Sequence, residues 1–164
     1  MKNLIVFFTL LAVPFWGYSI DFKIGILRNV QVKKISFKVS ESNYCLKSSK
    51  KILKNKISSK TDITFQYSSG KLSLNIDGKF IGIFDTLKLS NIEGDTGIFS
   101  VSCQIPTLKS RSYYDDLLIF PNKKSLTLVN VVDFEKYIVG VLESEVGEGK
   151  SKDFYKVHAI ISRT

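Results

Sequence analysis

Apolar and polar positions alternate along most of the chain up to residue 132, and beyond it the spacing changes to threes and fours. Lys34 to Ser40 places Ile35, Phe37 and Val39 on one side and polar residues on the other, as a half-buried strand requires. Ile63 to Tyr67 and Lys71 to Ile76, joined across Ser68, Ser69 and Gly70, predict a hairpin. Asp77-Gly78 is a two-residue turn signal because both positions tolerate positive φ, and it leads into a strand from Lys79 to Phe84. Gly97 to Ser102 predicts another strand. Tyr113 to Phe120, a turn around Pro121 and Asn122, and Leu126 to Val132 predict a last hairpin that feeds the helices.

Tyr137, Gly140, Val141 and Ser144 then share one face of a helix. Asp133 precedes it as an N-cap, its carboxylate able to accept the free N–H groups of the first turn. Gly147 and Gly149 interrupt the pattern, and Ser151 is placed to cap a second helix in which Phe154, Val157, His158 and Ile161 lie together. Glu145 thus falls near the end of one helix and the start of the next, where a single acid can be presented to a ligand. Short strands with frequent turns, followed by helices, predict an α+β fold: a short-stranded antiparallel β region (sandwich or small barrel) followed by C-terminal helices.

The run Tyr137-x-x-Gly140-Val141-x-x-Ser144-Glu145, continued by Ala159-x-x-x-Arg163-Thr164, resembles the signature of the stage II sporulation protein D (SpoIID/LytB) domain family. Ile24 to Arg28 and Leu126 to Val131 fit it more loosely. The chain departs from the family pattern at Glu143 and Val146, where proline and methionine are usual, and at His158, which replaces a glutamine. Family members are lytic transglycosylases of bacterial cell wall or helpers of cell-wall amidases. The resemblance implies Glu145 as catalytic acid, with Tyr137, Ser144 and Arg163 as candidate substrate contacts and peptidoglycan glycan strands as substrate. A cell-wall amidase is the implied protein partner, and no cofactor is implied. Read as residues alone, each has another use: Tyr137 as core with a wet hydroxyl, Gly140 for close helix packing, Ser144 as a local backbone hydrogen-bonder, Arg163 as partner of a structural acid.

One carboxylate suffices for the implied chemistry. Most glycosidases need two, an acid and a base or nucleophile. In a lytic transglycosylase the muramic acid C6 hydroxyl attacks its own C1, so the substrate supplies the nucleophile. The alternatives are a non-catalytic peptidoglycan-binding or amidase-enhancing module, and an inactive truncated remnant. The family's chain continues past the Arg-Thr pair, so residues 20–164 are expected to form a SpoIID-like domain incomplete at its C-terminus, mainly β over 20–132 and helical over 133–164.

Residues 1–19 carry the marks of an export signal: Lys2, the apolar run from Leu4 to Trp16, and small Gly17 and Ser19 before a cleavage point at Ile20. Left uncleaved, the same segment would be a membrane anchor. The expected location is the cell envelope. Apolar residues make up 44% of the sequence, enough to bury a core. The net charge of +9 and pI of about 9.5 come mostly from lysine, concentrated at Lys47, Lys50, Lys51, Lys54, Lys56 and Lys60. Such a block is ordinarily a solvated face; as a functional feature it would attract anionic wall polymers or lipid head groups. It lacks interleaved aromatics, and in an exported chain nucleic acid is not the expected partner. With one histidine and no paired Cys-x-x-Cys, no zinc site is expected. Cys45 and Cys103 are readable either as a disulfide or as two buried thiols.

Overall fold

The computed structural model describes residues 21–41, 43–92, 97–147 and 149–163. The expected export segment, residues 1–19, lies outside the described residues.

Among the described residues two six-stranded antiparallel sheets are followed by two helices. In the first sheet the order is β1 (Asp21–Ile26), β12 (Leu126–Asp133), β11 (Asp116–Pro121), β8 (Leu87–Asn91), β3 (Tyr44–Ser48) and β4 (Ile52–Ile57). The second runs β10 (Arg111–Tyr114), β9 (Ile98–Ile105), β2 (Lys34–Glu41), β5 (Ile63–Ser68), β6 (Lys71–Ile76) and β7 (Lys79–Phe84). Among the described residues both sheets end in open edges, so the architecture is a sandwich rather than a closed barrel. The helices are α1 (Phe134–Val146) and α2 (Lys152–Ile161).

The expected alternation is what the core uses. Ile35, Phe37 and Val39 of β2 face inward with Phe65 of β5 and Leu72 and Leu74 of β6, and they meet Leu46, Leu89, Ile119 and Leu128 of the other sheet in one cluster. Its centre is aromatic: Phe37 stacks on Phe99 at 5.2 Å between ring centroids, and Tyr44 meets both edge-on at 5.6 and 6.0 Å. The Asp77-Gly78 turn forms as expected, with φ of 51° and 76°.

β1, β3, β4 and β8 form where the sequence carries no strand expectation, and two stretches differ from the expectation it does carry. Tyr113 to Phe120 is not one strand. Asp115 sits in the left-handed region at φ 63°, and the chain turns there from β10 in one sheet to β11 in the other. The lysine block is not only a solvated face, because it contains the β3–β4 hairpin; Lys54 and Lys56 lie on an edge strand, where lysine discourages pairing with other chains. Cys45 and Cys103 are buried free thiols in different sheets, and burial raises the pKa of Cys103.

Tyr44 carries a pH consequence. Its fully buried ring places the hydroxyl to donate to the Asp115 carbonyl at 2.8 Å. Burial, with the Asp116 and Asp115 charges second, holds its ionisation well above the ordinary tyrosine range. An unfolded tyrosine ionises at about pH 10. Above that pH the unfolded chain has released a proton that the folded chain retains, so stability must fall as pH rises. Tyr44→Phe is expected to cost about 1 kcal/mol at neutral pH through the lost hydrogen bond. It is also expected to flatten the alkaline decline, as measured by urea unfolding midpoints from about pH 8 to 11. Tyr113 and Cys103, both also raised by burial, will supply the slope that remains.

Candidate functional site

The site is built where β12 runs into α1. Asp133 ends the strand and caps the helix, its Oδ1 accepting the N–H groups of Glu135 at 2.9 Å and Lys136 at 3.2 Å. Asp115, at the corner between the sheets, holds the same point from outside. Its Oδ2 accepts the Asp133 N–H at 3.0 Å and its Oδ1 pairs with Lys136 Nζ at 2.6 Å. Asn130, buried on β12, donates to the carbonyls of Tyr114 at 2.7 Å and Asp116 at 2.9 Å, fixing both sides of that corner. Asp116 accepts the Asn91 N–H at 2.9 Å and pairs with Lys88 at 2.8 Å, anchoring the corner to β8.

The helix is seated by apolar contacts as well. Phe22 of β1 stacks on Phe134 at 4.9 Å and lies parallel to Tyr137 at 6.4 Å, and Ile138 is buried. Between α1 and the ends of the two sheets opens a cleft of about 780 Å³. Ile24, Ile26, Ile98 and Val132 contribute apolar surface to it; Arg111, Ser112, Tyr113 and Tyr114 come from β10; Tyr137, Gly140, Val141, Glu143 and Ser144 come from α1. The helical face Tyr137, Gly140, Val141 and Ser144, expected from spacing, is therefore the helical wall of this cleft.

Gly140 is not a close-packing glycine. A Cβ there would meet nothing within 4 Å, so its missing side chain leaves room in the cleft. Ser144 Oγ donates to the Val141 carbonyl at 2.9 Å, the local backbone bond anticipated for it, while still lining the cleft. Tyr113 packs on Phe99 at 5.7 Å and also reaches the cleft, so it serves both core and wall.

Glu145 and Arg163 lie elsewhere. Glu145 is exposed on the last turn of α1 and does not line the cleft; Glu143, two residues earlier, does. Arg163 pairs with Glu135 and so ties the end of the second helix to the start of the first. Between the helices Gly147 has φ 69°, and Tyr155 donates its hydroxyl to the Gly147 carbonyl at 2.7 Å. Ser151 caps α2 as expected, accepting the Phe154 N–H at 3.3 Å. The shared face of α2 is exposed at Phe154, Val157 and Ile161, and His158 rests on the Phe154 ring at 4.4 Å. Among the described residues no cluster of three or more histidine, cysteine, aspartate or glutamate side chains is arranged to hold a metal, and no helix is long and apolar enough to cross a membrane.

Sequence reasoning missed Arg111, Ser112, Lys136 and Glu143 as cleft residues. The available signal was at Tyr113-Tyr114-Asp115-Asp116, where two aromatics followed by two acids break the alternation a single strand would keep. That break marks the sheet-to-sheet corner and brings β10 opposite the helix.

The arrangement defines an antiparallel sandwich whose open end is closed by a helix with a cleft beneath it. Residues 122–164 match the family model of the stage II sporulation protein, SpoIID. The matched segment starts in the turn before β12 and runs through both helices, taking in the helical wall of the cleft. No curated protein and no solved structure matches the chain. The match supports a SpoIID-like, cell-wall-related function.

Asp115→Ala removes the acceptor for Asp133 and the partner of Lys136, and is expected to cost about 2–3 kcal/mol in urea unfolding. Asp115→Asn, which tolerates the left-handed backbone and keeps an acceptor, should cost about half as much. Gly140→Ala should raise stability by about 0.5–1 kcal/mol, because glycine is poor in a helix interior and this one has free space beside it. Gly140→Leu should remain folded by circular dichroism yet block ligand entry to the cleft.

Proposed function

We propose that this chain acts in the cell envelope on the glycan strands of peptidoglycan, as a SpoIID-like lytic transglycosylase that binds glycan in the α1 cleft. The observation carrying this reading is that the helical face shared with the SpoIID pattern (Tyr137, Gly140, Val141, Ser144) is the face that lines the cleft. An apolar and aromatic lining with a few polar groups suits the faces and hydroxyls of sugar rings.

Glu145 follows the last of these residues and is the proposed acid and base. As the acid it protonates the glycosidic oxygen while the bond from that oxygen to C1 breaks. As the carboxylate it then takes the proton of the C6 hydroxyl as that oxygen bonds to C1. The products are a 1,6-anhydro sugar and a shortened strand, with no water consumed and the glutamate returned to its starting form. Tyr137 and Ser144 would touch the sugar, and Arg163 would hold the two helices together. A cell-wall amidase and the anionic polymers or lipids of the envelope are the proposed further partners, the lysine-rich β3–β4 hairpin meeting the latter.

A second reading, a glycan-binding or amidase-enhancing module without cleavage, is favoured by one observation: Glu145 is exposed outside the cleft, and Glu143 is the carboxylate within its lining. Wild type, Glu145→Gln and Glu143→Gln, incubated with peptide-free glycan strands, separate the readings. Mass spectrometry should find anhydro-muramic ends from wild type and Glu143→Gln, and at least about a hundredfold fewer from Glu145→Gln, the usual scale for loss of a general acid. Loss in Glu143→Gln with activity kept in Glu145→Gln would transfer the role to Glu143. Binding without products from wild type would establish the module.

A further inference from the structure

The four sheet edges are finished differently. β1 and β10 flank the cleft and contact α1, and β4 bears Lys54 and Lys56. β7 is unlike them. After Lys79 it reads Phe80-Ile81-Gly82-Ile83-Phe84 with no charge, and Phe80, Ile81 and Ile83 are exposed at 63%, 44% and 57%. Among the described residues it has a strand neighbour on one side only, β6. An exposed apolar edge carries a row of main-chain donors and acceptors with no strand beyond it.

The register shows what could fill that edge. Phe80 lies opposite Asn75 and Ile83 opposite Ser73, and the intervening shift makes Ile81 a bulge. Asn75 and Ser73 share the outer face of β6, whose inner face is Leu72, Leu74 and Ile76, so Phe80 and Ile83 point outward together although three residues apart. In a two-residue hairpin the residues flanking the turn, here Ile76 and Lys79, form the hydrogen-bonded pair. Phe80 and Ile83 then occupy non-bonded positions and turn their own N–H and C=O toward the open side.

We propose that β7 pairs antiparallel with β7 of a second copy of this chain, joining two sheets edge to edge about a two-fold axis beside Ile81 and Gly82. Phe80 of each copy lies opposite Ile83 of the other, exchanging both main-chain bonds and making two aromatic-on-aliphatic contacts on the outer face. Lys79 comes opposite Phe84 of the second copy and beside its Asp85, which already pairs with its own Lys71, so Lys79 joins that pair at each end of the joint. The self-complementary order, with a cation before the apolar run and an anion after it, favours a second copy over an unrelated strand. The cleft is on the far edge of the same sheet, at β10, and stays open in the dimer.

Sedimentation of the full chain should give a dimer that dissociates on dilution. Phe80→Lys and Ile83→Lys should give monomers with unchanged circular dichroism, while Ile52→Lys on β4 should leave the dimer intact. A wild type that stays monomeric at every concentration, or edge variants that remain dimeric, would overturn the proposal. Hydrogen exchange on the unmodified chain covers the case of a variant that fails to fold. The Phe80 and Ile83 amides should exchange more slowly as concentration rises, and exchange independent of concentration would contradict the pairing.

Discussion

The carboxylate of Asp115 carries the geometry of the whole site. It stands at the corner where the chain leaves one sheet for the other, and its two oxygens reach the last N–H of β12 and the Lys136 ammonium of α1. One side chain thereby fixes the sheet-to-sheet step and the direction in which the helix departs. Its backbone carbonyl takes the Tyr44 hydroxyl from the core, so the corner is also tied to the aromatic centre of the sandwich. Hydrogen bonds to a charged group in a half-buried setting are among the stronger ones a protein makes. Without these bonds the helical wall of the cleft would rest on the Phe22–Phe134 stack and the burial of Ile138.

Most of the sandwich was legible in the sequence because its signals are local. Lys34 to Ser40 alternates, Asp77-Gly78 can take the left-handed turn conformation, and Asp133 and Ser151 have the side chains that cap helices. The hidden parts depend on distant partners. β3 and β4 sit within a lysine-rich stretch whose charge obscures alternation, and their place is set by pairing of β3 with β8. The Asp115 corner looked like the middle of a strand because its reason for turning lies in residues 133 and 136, on the next elements of the chain.

The site was legible to a similar degree and for the same reason. Helical spacing places Tyr137, Gly140, Val141 and Ser144 on one face, and that face does line the cleft. Spacing alone cannot say where a helix ends relative to the surface it covers. Ile138 and Glu145 are two turns apart on nearly the same meridian, yet Ile138 is buried against the body while Glu145 is exposed at the final turn. The opposite wall, from Arg111 to Tyr114, arrives by the sheet order and carries no motif of its own.

The central claim is that glycan occupies the cleft between α1 and β10, and amide chemical shifts of isotope-labelled protein titrated with peptide-free glycan oligosaccharides test it most directly. The account predicts saturable shifts clustered at Tyr137, Gly140 and Ser144 on the helix and at Arg111 to Tyr114 on the strand, with β7 and the lysine-rich hairpin unmoved. Shifts confined to the hairpin or to α2, with the cleft silent, would contradict it.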